Sequence, residues 1–420
     1  MSEARTILTG QDAVVIIGAG QAGFQAAASL RDEGFAGRIT LIGDEPYLPY
    51  QRPPLSKTYL AGSLDQEGLT LRPASFFERN SIELLMGDTA VAIDRDKQEV
   101  KLASGRLVGY AHLILATGTR PRPLVAEGAD LAGVHILRTK DDAGALRPCL
   151  GDGSRVAVIG GGFIGMEFAA VAADAGHEVV VIEGLARIMA RSVSPELSEY
   201  VTAAHRGRGT RMLLGSGVQR LTGAAGRVTG VVLADGETAA ADVVLVGIGV
   251  LPNAELARDA GLEVANGIAV DGSLLTSDPR ISAIGDCANY PSAHDSGRPT
   301  RLESVQNAVD HARHVAARLT GGSYAAYQKV PWFWTHQLGL NVQIAGIGSA
   351  DDDCVLRKDP AGEKFSIYRF QSQRLVCVES VNQPGAHMLA RRMLAGEVRP
   401  SPAQVADPGS DLKALLTPAV

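Results

Sequence analysis

Ala13-Val14-Val15-Ile16-Ile17-Gly18-Ala19-Gly20-Gln21-Ala22-Gly23 runs an unbroken apolar segment into a G-x-G-x-x-G turn, and Arg155–Gly165 does the same. The second turn reads Gly160-Gly161-Gly162-Phe163-Ile164-Gly165. A short continuous apolar run bounded by glycine suits a buried parallel strand. The turn after it needs glycine, because a side chain would keep backbone N–H groups away from a pyrophosphate. The helix N-terminus behind the turn adds its own unpaired N–H groups and dipole. One such turn is a weak signal. Two in matching context indicate two bound dinucleotides, and an enzyme that holds two usually passes hydride between them.

Around each turn the pattern extends to a full βαβ unit. Phe24, Ala27 and Leu30 stand at helical spacing after the first turn, and Arg38–Ile42 reads as the next strand. Phe168–Ala175 and Glu178–Ile182 repeat this after the second. Val91–Ile93 and Val100–Ala103, with a turn at Ser104-Gly105, suggest a small antiparallel ribbon. Val228–Leu233 and Asp242–Val246 read as strands with a hairpin turn at Asp235-Gly236. Gly247-Ile248-Gly249 echoes Thr117-Gly118-Thr119, as if the chain leaves one domain and later returns to it. Ile281–Gly285 is a further apolar strand, Ser304–Leu319 a helix of mixed polarity, and Pro46–Lys57 a proline-rich loop. From about Tyr327 aromatic residues cluster and alternating strands follow, implying an antiparallel sheet with a closing helix near Met388–Leu394. The expected fold is α/β: two Rossmann-like dinucleotide-binding domains plus a C-terminal α+β domain. Its boundaries are placed at 1–117 with 249–326, at 118–248, and at 327–420.

Size and composition agree with this. A chain of 420 residues is too long for one ordinary core. Its 48 glycines exceed the usual share of about 7%. With a net charge of −6 and no block of like charges, general nucleic-acid binding is disfavoured. No apolar run approaches the ~18 residues that span a bilayer. The first residues lack a basic region and a cleavage site, so a cytoplasmic location is expected. Cys149, Cys287, Cys354 and Cys377 form no C-x-x-C or C-x4-C pair and read as inert thiols.

Individual residues then acquire roles. An acid is expected about 20 residues beyond the last fingerprint glycine, to accept the ribose hydroxyls. Glu183 stands there at a strand end and favours NADH over NADPH, the alternative being an exposed turn acid. In the first half the same place offers Gly43-Asp44-Glu45, which displaces the acid by about one residue to Asp44. Asp286, after a strand and a glycine, suits a ribityl hydroxyl; it also reads as a helix N-cap, and the two roles are compatible. Lys57, in Pro53-Pro54-Leu55-Ser56-Lys57, is a candidate for placing positive charge beside a flavin. Trp332 and Trp334, the only tryptophans, divide evenly between core and cofactor wall.

Taken together, these residues resemble the putidaredoxin reductase family of FAD-dependent, NADH-oxidising ferredoxin reductases, over nearly the whole chain. The resemblance is carried by Arg52–Lys57, Ala116–Pro123, Gly160–Glu167, Gly247–Asn253, Thr276–Ala288, Glu303–Ala308 and Pro331–Trp334. It implies a glutathione-reductase-like fold. FAD is then expected at Gly18, Gly20, Ala22, Gly23, Asp44, Lys57, Ala90, Arg138, Asp286 and Val305. NADH is expected at Gly160, Gly162, Ile164, Gly165 and Glu183. The resemblance further implies that Glu167 faces the nicotinamide amide and pairs with Lys57 near flavin N5, with Trp334 also in the catalytic region. Arg313 aligns with a basic position that docks a [2Fe–2S] ferredoxin, which in turn supplies a bacterial oxygenase such as a haem-thiolate monooxygenase. A monomer or weak homodimer is expected.

The chain departs from the family at His336, where many members carry an acid. Two other functions fit the same fold. An NADH oxidase or peroxidase would use a lone cysteine in the loop Asp44–Lys57, which has none. A flavoprotein resembling apoptosis-inducing factor, sensing NADH, would carry a targeting segment and a basic surface.

Overall fold

The computed structural model describes residues 7–322, 324–358 and 364–416. It divides into two compact units, one of residues Met1–Gln51, Gln66–Arg120 and Leu251–Pro331, the other of Arg52–Asp65, Pro121–Val250 and Trp332–Val420.

In the first unit, Ala13–Ile17 lies at the centre of a five-stranded sheet in the order Ile281–Ala283, His112–Leu115, Ala13–Ile17, Arg38–Gly43, Ile82–Met86. Every pairing is parallel. Burial on both faces explains why a strand such as Ala13–Ile17 is apolar throughout rather than alternating. Helix Gln21–Asp32 buries Phe24, Ala27 and Leu30, as their spacing implies, and packs on helix Val305–Leu319. Ala26, Ala27, Ala312 and Ala316 are essentially inaccessible, which lets two helices lie close beside each other. Ala90–Asp94, Glu99–Leu102 and Leu107–Gly109 form the expected antiparallel ribbon.

The second unit contains the sheet Arg211–Leu214, Glu178–Glu183, Arg155–Ile159, Val243–Val246, Val134–His135, again all parallel. Its register repeats that of the first. Ile17 pairs with Ile42, and Ile159 with Ile182, so Glu183 occupies the place that Gly43 holds in the other half. An antiparallel sheet of Val218–Ala224, Arg227–Leu233 and Thr238–Ala240 follows.

The same unit ends in a five-stranded antiparallel sheet, ordered Trp332–Gln337, Leu340–Gly346, Arg374–Val381, Phe365–Gln371, Asp353–Lys358, with helix Pro384–Ala395 packed on it. Two of its hairpins turn through paired left-handed residues, Leu338-Gly339 (φ 51° and 72°) and Ser372-Gln373 (φ 48° and 68°). Such loops match the twist of the strands they join. Among the described residues no helix is long and apolar enough to cross a membrane.

Candidate active site

Each glycine turn separates packing from binding. Gly18 and Gly160 have φ of 108° and 106°, a region costly for other residues. A Cβ on Gly18 would lie 2.2 Å from Ala116 O, and one on Gly160 would lie 2.4 Å from Gly247 O. Gly23 and Gly165 are closed by their own loops, where a Cβ would meet Gly18 O at 1.9 Å and Gly160 O at 2.2 Å. The middle glycines behave differently. Nothing lies within 4 Å of a Cβ on Gly20, and only Gly247 O, at 4.0 Å, approaches one on Gly162. Gly20 and Gly162 are also the N-caps of helices Gln21–Asp32 and Phe163–Asp174, and neither helix has a side-chain cap. Helices Lys140–Leu146, Pro195–Gly207 and Val305–Leu319 are capped by Thr139, Ser194 and Ser304. Two uncapped helix ends, each facing open space over a glycine, fit the pyrophosphates of FAD and of a nicotinamide dinucleotide. Ala22 is buried within its helix, whereas Ile164 is 39% exposed on the open rim of the second turn.

The two strand ends where ribose acids are expected differ for a steric reason. Glu183 accepts from Gly161 N–H (2.7 Å) and Leu185 N–H (2.8 Å), which orients its carboxylate at the strand end. Residue 161 is glycine in close quarters: a Cβ there would stand 2.9 Å from Ile188 Cγ2 and 3.3 Å from Glu183. In the first unit the loop residue is Ala19, and a Cβ on Gly43 would meet its Cβ at 2.7 Å. The strand end must therefore be glycine, and the first acid after it is Asp44, which is exposed and accepts from Glu45 N–H at 3.1 Å.

Asp286 lies in a single 3₁₀ turn, Gly285–Cys287, whose N-cap position is Ile284. The helix-cap alternative for Asp286 is thereby corrected: the chain continues into strand Ala288–Pro291, and the next long helix is capped by Ser304. Gly285 draws the site together, since a Cβ there would meet Ala22 at 2.9 Å and Ala308 at 3.7 Å. Asp286 is thus held close to the first glycine turn and to the helix that begins at Val305. Thr119 Oγ1 stands 3.5 Å from Asp286 Oδ2. Ala90 is a half-buried residue of the antiparallel ribbon.

The second unit brings together Lys57 and Glu167, two residues far apart in the chain. Lys57 follows the 3₁₀ turn Pro53–Ser56 and donates to Glu167 Oε2 at 2.5 Å and to Pro53 O at 3.1 Å. Ser56 Oγ donates to the same Oε2 at 2.6 Å, and Thr335 Oγ1 donates to Oε1 at 2.6 Å. The Glu167 side chain is 5% exposed and that of Lys57 19%. The sequence reading passes over Ser56 and Thr335. Ser56 was legible as the neighbour of Lys57, whereas Thr335 is brought in only by strand Trp332–Gln337. Arg138 sits in the loop before helix Lys140–Leu146, where its carbonyl accepts from Arg52 (2.6 Å).

Alternation along that strand resolves the tryptophans. Phe333, Thr335 and Gln337 share one side, and Phe333 meets Phe163 at 4.5 Å between ring centroids. Trp332, Trp334 and His336 share the other. Both tryptophans are half-buried and 5.4 Å apart, with Arg391 4.8 Å over Trp332. His336 is exposed.

No thiol competes with this arrangement. All four cysteines are free, and Cys287, next to Asp286, is fully buried with its pKa pushed up by desolvation. Such a thiol is not a redox nucleophile.

Residues 12–312 match the family model described as pyridine nucleotide-disulphide oxidoreductase, and residues 332–416 match that of the reductase C-terminal domain. The chain belongs to the ferredoxin reductases of the pyridine nucleotide-disulphide oxidoreductase family. It is 51% identical to rhodocoxin reductase of Rhodococcus erythropolis, covering 95% of this chain and 93% of that one. It is 38% identical to putidaredoxin reductase of Pseudomonas putida, covering 98% of each. Among solved structures, the ferredoxin reductase for the CYP199A2 system of Rhodopseudomonas palustris matches at a TM-score of 0.94 and 48% identity, covering 97% of this chain and all of that one. The covalent putidaredoxin reductase–putidaredoxin complex matches at 0.93 and 37%, covering 97% and 99%. Enzymes of this family are flavoproteins that use a nicotinamide dinucleotide, and the two open glycine turns agree with that.

Proposed function

We propose that this chain is an NADH-dependent ferredoxin reductase that supplies single electrons to a [2Fe–2S] ferredoxin serving an oxygenase. FAD held at Gly18, Gly20, Asp44 and Asp286 would supply hydride acceptance and single-electron release, chemistry that no side chain can supply. The chain's own residues align and polarise. The observation that carries the reading is the Lys57–Glu167 pair, buried beneath a dinucleotide turn in a protein without a thiol pair. A carboxylate offers about four acceptor sites. Ser56 and Lys57 fill Oε2 and Thr335 takes one site on Oε1, so Oε1 retains one for the N–H of a carboxamide. Lys57 supplies a fixed cation beside Glu167, of the kind that steadies developing negative charge. Rapid mixing with NADH is expected to bleach the bound flavin, and added [2Fe–2S] ferredoxin to restore its colour. Fast turnover with peroxide and no ferredoxin would instead indicate a peroxidase.

Glu183 sets the dinucleotide preference through its carboxylate, which accepts ribose hydroxyls and repels a 2′-phosphate. Glu183→Ala is expected to raise the KM for NADH about tenfold, the scale of one charged hydrogen bond, and to narrow the gap to NADPH. Steady-state kinetics with both dinucleotides checks it.

Arg313 is exposed on helix Val305–Leu319. In a chain of net charge −6, a local cation is what would attract an acidic ferredoxin. Arg313→Glu is expected to raise the KM for ferredoxin and flatten its dependence on salt, leaving reduction by NADH unchanged.

A further inference from the structure

Glu167 is the end of a hydrogen-bonded chain that starts on another helix of the same unit. Thr335 Oγ1 donates to Glu167 Oε1 at 2.6 Å, and Gln337 Nε2 donates to Thr335 Oγ1 at 3.3 Å. Gln337 Oε1 lies 2.8 Å from Nε2 of His205, on helix Pro195–Gly207. Thr335 and His205 are fully inaccessible and Gln337 is 4% exposed, so water does not supply substitutes.

Only one direction of proton donation satisfies all four groups. An ionised carboxylate is acceptor-only, so the single Thr335 proton must point at Glu167. The Thr335 oxygen then accepts a hydrogen bond, and among the described residues the Gln337 NH₂ is placed to donate it. That orientation turns the Gln337 carbonyl towards His205, which must carry its proton on Nε2. The imidazole is then neutral with a bare Nδ1. Two observations agree: burial lowers the His205 pKa, and Nδ1 is buried without a hydrogen-bond partner. The opposite tautomer would enclose an unpaired N–H and reverse the amide. Thr335 would then lose its donor, or Glu167 would face another acceptor.

We propose that Thr335, Gln337 and His205 are positioning residues for the reaction: a one-way relay that fixes the Oε1 edge of Glu167 and so aims its open acceptor site at the nicotinamide amide. The proposal rests on the reductase reading above. It assigns a role to polar side chains of a strand and a helix whose other neighbouring contact with the second turn is the packing of Phe333 on Phe163.

The test has two arms on the holoenzyme. Long-range ¹H–¹⁵N spectra of the imidazoles at pH 7 are expected to show His205 as the Nε2–H tautomer. The Nδ1–H tautomer or an imidazolium would overturn the relay, and this arm needs no variant and no turnover. In rapid mixing with NADH, Thr335→Val is expected to lower the limiting rate of flavin reduction about tenfold, with the NADH dissociation constant within about twofold of wild type. Thr335→Ser keeps the donor and should return the rate to within about twofold of wild type, and Gln337→Leu should behave like Thr335→Val. A Thr335→Val enzyme as fast as wild type, or a Thr335→Ser enzyme as slow as Thr335→Val, would refute the relay. A wild-type flavin that NADH does not reduce would instead remove the reductase reading, while the tautomer arm would still judge the relay.

Discussion

Glu167→Ala is expected to lower the rate of flavin reduction by NADH by about a hundredfold or more, because charge placement and orientation are lost together. It is also expected to destabilise the fold by about 3 kcal/mol, towards the lower end of the range for breaking a buried ion pair. The physical cause lies in what the substitution strands. Lys57 Nζ, Ser56 Oγ and Thr335 Oγ1 all donate to this one carboxylate. Removing it leaves an ammonium and two hydroxyls to find partners in a site where the lysine is only 19% exposed. That residual exposure lets some water reach the ammonium, which keeps the penalty below what a sealed pair would show. Lys57→Met makes the contrast. It removes the cation but leaves Glu167 with two hydroxyl donors, so stability should fall less while the reduction rate falls by a similar factor. Thermal denaturation and stopped-flow mixing separate the two quantities. The double variant Lys57→Met/Glu167→Ala should lose less rate than the two single losses combined, since the residues act through one contact.

Much of this architecture can be read from the chain before any coordinates. Continuous apolar runs such as Ala13–Ile17 and Val243–Val246 mark strands buried on both faces, and the glycine turns locate the helix ends that await phosphates. The shift of the acid from Gly43 to Asp44 is also visible, although its cause, a clash with Ala19, needs the geometry. What stays hidden has physical reasons. Thr335 and Glu167 are separated by 168 positions, and their contact depends on a strand whose end no local signal announces. That strand stops at Leu338-Gly339, a hairpin turn with leucine in a left-handed conformation, where asparagine or glycine would have been the readable choice. Helix Pro195–Gly207, which carries His205, is announced by Ser194-Pro195-Glu196, a cap and first turn that the apolar pattern alone does not reveal. Asp286 illustrates the reverse error: its residue type suggests a cap, but the chain takes one 3₁₀ turn and returns to strand.

The support beneath the site leads to the second large effect. Glu379, on strand Arg374–Val381, is fully buried and accepts from Arg369 (2.8 Å), from Ser194 N–H (2.8 Å) and from Ser194 Oγ (2.5 Å). Arg369 forms a second ion pair with Asp352 at 3.1 Å. Desolvation pushes the Glu379 pKa up, and Arg369 with the Ser194 donors opposes that, so the carboxylate depends on its partners. Ser194 caps the helix that bears His205, and this knot therefore fastens the start of that helix to the C-terminal sheet. Glu379→Ala leaves Arg369 with one anion and strips both Ser194 groups of their acceptor. The expected loss is about 3–5 kcal/mol. For a domain of 150–250 residues each kcal/mol lowers the melting temperature by roughly 2–4 °C, so a fall on the order of 10 °C should appear in calorimetry. Glu379→Gln retains an acceptor for Ser194 and should fall between the variant and wild type. Because the lesion lies at the helix start and not in the relay, NADH should still reduce the flavin of Glu379→Ala within about threefold of the wild-type rate, well below its melting point. A tenfold loss at that temperature would mean that the Ser194 end of the helix also controls where His205 sits.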